Sequence, residues 1–167
     1  MDDESPWLTR KQQRVWRGWL AMNAQVPAVL HRQLQADAGL SLQDFDILVQ
    51  LTDTADGKLR ISELAKALNW ERSRFSHHYK RMEARGLVER EECPDDARGA
   101  FIVLTPAGRT AIEQAAPAHA RAVRDLVFDS LSDDELEAVG RFTDRVLGRL
   151  NSRDVPRSTG QRGAGHG

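Results

Sequence analysis

Apolar residues recur at helical spacing through most of the chain, and two short runs holding Val88, Phe101 and Val103 have strand propensity instead. Near the amino end Leu8, Val15, Trp19 and Met22 fall close to one helical face, with Trp16 beside them. Pro27 cannot donate a backbone hydrogen bond and predicts a kink or restart, after which "AVLHRQLQADAGL" carries the helix to a stop at Gly39. Ser41 caps the next helix, with Asp44 three residues on to favour its positive end. Leu42, Phe45, Leu48, Val49 and Leu51 are its core positions, and "DTADGK" is a loop. "ISELAKAL" is a short amphipathic helix with Ile61, Leu64, Ala65 and Leu68 inward, joined by "NWER" to the helix that follows.

That helix, "ERSRFSHHYKRMEARGL", has an unusual outer face. Wound at 100° per residue, Phe75, Tyr79 and Met82 form one stripe, while Ser73, Arg74, His77, Lys80 and Arg81 collect opposite. Gly86 stands where a left-handed cap would end it. Two short helices joined by a few residues make a helix-turn-helix pattern. "LVERE" and "AFIVLT" then read as two strands around "ECPDDARG", whose Pro, Asp and Gly suit a hairpin tip, so a wing follows directly. Thr105 and Pro106 form the next helix start, and the helix after them is expected to bend or break at Pro117. Ser132 and Glu135 are a capping box opening a last helix that should bury Leu136, Val139, Phe142, Val146 and Leu150.

Composition narrows the class. A 167-residue chain with 40% hydrophobic and 29% charged residues can build one core with helical extensions. No apolar run approaches the roughly 18 residues that span a bilayer, and "MDDESP" lacks the basic-then-apolar pattern of a secretory signal. One cysteine, Cys93, excludes an internal disulfide framework and fits a reducing cytoplasm, the expected location. Net charge is −1, yet from Lys58 to Arg109 eleven basic residues face eight acidic ones. Between Arg72 and Arg90 six basic residues face only Glu83 and Glu89. An acidic body with a basic middle is expected where one face approaches phosphates.

The order of elements, with "ISELAKAL", "RMEARGLVER" and "DDARGAFIVLTPAGR" in sequence, resembles the MarR family of transcriptional regulators over residues 8–150. The resemblance implies a mainly α fold with a small β-hairpin wing: a winged helix-turn-helix domain plus a helical dimerisation region. It assigns residues 8–38 to an N-terminal dimerisation helix region, 41–105 to the winged helix-turn-helix and 106–150 to C-terminal dimerisation helices. Residues 151–167, rich in Gly, Ser and Arg, are expected to be a disordered tail. The implied assembly is a homodimer on a palindromic operator in double-stranded DNA. Long helices with more apolar surface than one small winged domain can cover agree with that allocation.

In the resemblance, Ser73, Arg74, Ser76, His77, Lys80 and Arg81 match the part of the family helix that enters the major groove. Arg74 and His77 suit base edges, and Ser73, Lys80 and Arg81 suit phosphates. Arg98 matches the wing-tip arginine that reaches the minor groove, with Asp96 holding it by a salt bridge. Ala97 departs from the further basic residue many relatives carry there, which implies a weaker grip. Trp16, Trp19 and Met22 read first as dimer core and second as the lining of a pocket for a small aromatic effector. His77 and His78 diverge by 100° on a helix and cannot chelate one metal together, and neither a catalytic set nor a cofactor motif is present. Cys93, beside Glu91 and Glu92, reads as an unreactive wing residue. The expected function is a ligand-responsive repressor. The alternative is a winged-helix protein-interaction module without a specific DNA site, which salt-independent binding would reveal.

Overall fold

The computed structural model describes residues 6–93 and 99–154. Helix α1 (Arg10–Ala38) starts from a reciprocal cap in which the Gln12 backbone N–H donates to Thr9 Oγ1 and the Thr9 N–H donates to Gln12 Oε1. It ends at Gly39, whose φ of 64° is the left-handed conformation that lets the chain turn away. The restart expected at Pro27 does not occur, because α1 runs through it unbroken. Proline's fixed φ suits a helix, and its cost is one lost hydrogen bond. Asn23, whose carbonyl loses the donor that Pro27 lacks, and Pro27 itself both lie at the exposed surface, where water can substitute.

Helix α2 (Leu42–Thr52) begins with the expected Ser41–Asp44 cap and buries Phe45, Ile47, Leu48 and Leu51. Leu42 and Val49 are only half-buried, and Ile47 takes a core place that sequence reading did not assign. Strand β1 (Lys58–Arg60), helix α3 (Ile61–Ala67) and helix α4 (Arg72–Ala84) follow. Of the four inward positions expected in α3, Leu64 and Ala65 are buried while Ile61 and Leu68 pack at the edge of the core. Gly86, with φ 72°, closes α4, the Leu87 N–H reaching back to the Met82 carbonyl.

Strands β2 (Val88–Glu92) and β3 (Ala100–Leu104) pair antiparallel, from Val88 opposite Leu104 to Glu92 opposite Ala100. The sheet has three strands, not two: β1 pairs with β3 on its other edge, in the order β1-β3-β2. Three residues span too little chain for a period of two to show, so the loop expected at "DTADGK" conceals the start of a strand.

Thr105 then launches α5 (Pro106–Val123). Its hydroxyl accepts from the Gly108 N–H at 2.9 Å and donates to the Gly86 carbonyl at 2.7 Å, so one side chain caps the helix and ties it to the end of α4. Gly108 packs directly on the Leu87 backbone, where a Cβ would overlap the carbonyl oxygen and press on Leu104. That contact explains the Leu-Thr-x-x-Gly spacing. Gly108→Ala is expected to cost about 1–3 kcal/mol of stability, measured by urea unfolding. An unchanged midpoint would mean that α5 shifts freely.

The interruption expected at Pro117 is absent, and α5 passes through it to Val123. As at Pro27, the site is exposed and the helix tolerates one missing bond. Regular geometry instead gives way to a π-helical segment at Arg124–Phe128.

The chain divides after Leu126 into two compact units. The first holds one core around Leu34, Ile47, Leu64, Phe75, Met82 and Ile102, with α1 and α2 packed on α5. In the second, Ser132 and Glu135 form the expected cap of α6 (Asp133–Asp154). The burial expected along α6 is not met within one chain: Leu136, Val139, Phe142, Val146 and Leu150 are 38–50% exposed. An amphipathic helix in this state leaves much of its apolar stripe facing water. Helix α6 also runs past residue 151, because no Gly or Pro breaks the chain between Asn151 and Asp154. The rest of the expected tail lies outside the described residues.

Candidate nucleic-acid interface

The turn between α3 and α4 depends on Asn69, which takes φ 51°, a left-handed conformation that asparagine tolerates better than most residues. The Trp70 N–H then donates to the Ala65 carbonyl at 2.8 Å, fixing how α4 leaves the turn. Along α4 the stripe of Phe75, Tyr79 and Met82 is buried as expected. Ser73, Arg74, His77, Lys80 and Arg81 are exposed and Ser76 is half-buried. Ser73, Arg74, Ser76, His77 and Lys80 line one open surface. Six residues expected on the outer face are thus on α4, and five of them share a single patch.

Arg74 is braced rather than free-swinging, its guanidinium 4.7 Å from the centre of the Trp70 ring. The edge-on contacts of Trp70 with His78 and Phe75 lock that ring in turn. Sequence reading treated Trp70 only as part of a connection, although an aromatic four residues before an arginine was visible.

His78 is the larger omission. It is buried, with Nε2 2.8 Å from Asp44 Oδ1 and Nδ1 2.9 Å from Arg81 Nη2. Asp44 also accepts from Arg85 Nη1 at 2.7 Å and from the Ser41 N–H at 2.9 Å, and Arg85 Nη2 reaches the Gly39 carbonyl at 2.7 Å. Burial alone would push the Asp44 carboxyl up. The hydrogen bonds from His78, Ser41 and Arg85 outweigh it and hold the group well below the usual carboxylate range. The cluster therefore ties the end of α1 and the start of α2 to α4, beneath a cleft of about 640 Å³ that Arg74, His77, Arg81 and Arg85 also line.

A second basic cleft lies between β1, α3, α4 and the wing strands, where Arg60, Ser62, Arg72, Ser76 and Arg90 converge. Sequence reading assigned only Ser76 among these to the interface. Arg72 stands one turn before Ser76 on α4 itself, while Arg60, Ser62 and Arg90 come from segments that only folding brings to that helix.

Asp96 and Arg98 fall outside the described residues. At the base of the wing, Cys93 is buried and accepts from Arg60 Nη2 at 3.3 Å. That guanidinium is a neighbour that the flanking Glu91 and Glu92 did not announce. Trp16 and Met22 are exposed on α1 and Trp19 is half-buried, and other residues line the clefts described above. Among the described residues no group of three His, Cys, Asp or Glu could hold a metal ion.

The sequence profile of the MarR family matches residues 38–99, from the end of α1 to the wing. The fold is similar to that of Sco3205, a MarR family transcriptional regulator from Streptomyces coelicolor solved in complex with DNA. Identity is 40%, the TM-score 0.83, and the match covers 89% of this chain and 93% of that one. AbsC, another MarR family transcriptional regulator from Streptomyces coelicolor, is 35% identical with a TM-score of 0.83, covering 89% and 99%. The HTH-type transcriptional repressor YetL of Bacillus subtilis is 30% identical over 116 residues, 70% of this chain and 69% of its own length. With its helix-turn-helix, its flanking sheet and relatives matched over most of their length, the chain belongs to the MarR family of transcriptional regulators.

Proposed function

We propose that this DNA-binding regulator acts as a homodimeric repressor, each subunit laying α4 in the major groove of one half of a palindromic operator. The observation that carries the reading is the outer face of α4, where Arg74, His77, Lys80 and Arg81 are exposed above a fully packed inner stripe. Arg74 and His77 meet base edges in this arrangement, while Ser73, Lys80 and Arg81 meet phosphates. Arg98 is the residue proposed for the minor-groove contact, with Asp96 as its proposed companion. Two copies of α4 then address successive major grooves about 34 Å apart.

The exposed apolar faces of α1 and α6 supply the surface for a second copy of the chain. Trp16 is 52% exposed and Leu147 56% exposed, values out of place on helices meant to stand alone in water. A small aromatic effector would regulate the dimer by preferring a spacing of the two α4 helices that does not match DNA. Trp16, Trp19 and Met22 offer it an apolar lining. Such a molecule binding without any change in operator affinity would remove this part of the proposal. No described helix is long and apolar enough to cross a membrane, and the role proposed places the protein with the DNA in the cytoplasm.

Footprinting by the purified chain, repeated across salt concentrations, tests the reading. A protected palindrome and an affinity falling steeply with salt are expected. Salt-independent association with a protein and no protected site would favour the interaction-module alternative. Arg74→Ala is expected to cost about 1–3 kcal/mol and to relax preference at one position of each half-site. An equal loss on all sequences would move Arg74 from bases to backbone.

A further inference from the structure

We propose that His78 is a positioning residue for DNA binding: a neutral imidazole anchored on the Asp44 carboxylate, it holds the Arg81 guanidinium ready for a phosphate. The inference rests on the proposed DNA-facing role of α4 and adds a part that the outer face alone does not contain.

The chemistry of the partners dictates the state of the ring. The Asp44 carboxylate can only accept, so His78 Nε2 carries the proton and donates across 2.8 Å. The Arg81 guanidinium can only donate, so His78 Nδ1 presents its lone pair across 2.9 Å. Both contacts together require one neutral tautomer. Asp44 is itself immobilised: Oδ2 accepts from the Ser41 N–H and from Arg85, while Oδ1 faces His78. Trp70 closes on the ring edge-on, 5.4 Å between centroids.

The result is a hydrogen-bonded line from the capped start of α2 to the outer face of α4. Arg81 is exposed and would otherwise sample many rotamers, which binding would have to restrict. Contact with His78 uses one guanidinium N–H and leaves the other four for a phosphate. The relay restricts Arg81 before DNA arrives.

The test compares full-length wild type with His78→Gln, His78→Asn and Arg81→Ala on one operator duplex over a range of salt. Glutamine places an amide N–H where Nε2 stands and keeps the Asp44 contact, but offers Arg81 no acceptor at Nδ1. Asparagine places its carbonyl near Nδ1 and keeps the acceptor for Arg81. His78→Gln is expected to bind about tenfold more weakly, one charge-assisted contact. Its slope of log affinity against log salt should match wild type, because Arg81 keeps its charge and still reaches the phosphate, whereas Arg81→Ala should lose about 0.9 of slope. His78→Asn should stay within about twofold of wild type, and the Gln/Ala double variant should bind no worse than Arg81→Ala alone.

A His78→Gln affinity within about twofold of wild type overturns the proposal. So do equal losses in the Gln and Asn variants, which would mark a purely structural histidine, and so does an Arg81→Ala variant that binds like wild type. Should the variants fail to fold, imidazole 15N shifts of the wild-type protein decide. The neutral Nε2–H form supports the relay, and a charged ring or the other tautomer sinks it. Failure of the DNA-facing reading looks different, because wild type itself would then show no salt-dependent binding.

Discussion

Glutamates at both Val139 and Val146 are expected to turn the regulator into a monomer whose operator affinity is about 100-fold lower or worse. Both residues lie on the stripe of α6 that one chain leaves exposed, two helical turns apart and flanked by Leu136, Phe142 and Leu150. In the proposed dimer that stripe would be buried, and a carboxylate without a partner there would cost several kcal/mol. In the monomer the same residues face water and the cost disappears. Association therefore suffers while the core around Leu34 and Ile102, which contains neither residue, keeps its packing. Loss of the partner also loses the second half-site, and with it the high effective concentration that makes the second contact nearly free of association entropy. Sedimentation measures the assembly and a binding titration measures the affinity. A variant that sediments as a dimer would show that α6 is not part of the interface.

The second large effect centres on Asp44. Replacing it with asparagine should destabilise the fold by about 2–3 kcal/mol, since hydrogen bonds to a charged group are lost in a buried place. Arg85 is 42% exposed, so solvent screening keeps the figure at the lower end. The pH dependence has a definite sign. The folded Asp44 carboxyl sits below its ordinary value of 3.8, so the unfolded chain takes up the proton first as pH falls. The stabilisation is complete well above the ordinary value and drains away as pH falls through it toward the folded value. The gap in stability between wild type and Asp44→Asn should hence be constant near neutrality and narrow below about pH 4. Urea unfolding at a series of pH values measures it. A gap that persists undiminished in acid would mean that the carboxylate charge is not what stabilises the cluster.

Much of the fold was legible because its signals are local. The caps at Ser41, Thr105 and Ser132 involve residues three apart, and the structure forms each as the sequence predicts. The α4 stripe of Phe75, Tyr79 and Met82 and the left-handed Gly86 are equally local. The restart expected at Pro27 and the interruption expected at Pro117 did not come, for the opposite reason. Sequence shows the missing N–H but not the exposed surroundings, where a long helix absorbs the loss. Strand β1 was invisible because its pairing partner, Phe101 opposite Arg60, lies some forty residues further along.

The candidate site divides in the same way. The outer residues of α4 could be placed from angle alone. His78 lies at the spacing of the buried stripe, three after Phe75 and four before Met82, so its burial was readable in principle. Its partner was not: Asp44 stands 34 positions earlier and had a sufficient local explanation as a helix cap.

By itself, then, the sequence determined the helices, the caps that start them, the wing strands and the basic outer face, all products of interactions within a few residues. Tertiary structure alone decided which polar groups would be paired inside, joining Gly39, Asp44, His78, Arg81 and Arg85 into one network. Propensity and periodicity act along the chain, whereas a buried charge is tolerated only where folding delivers complementary donors from elsewhere.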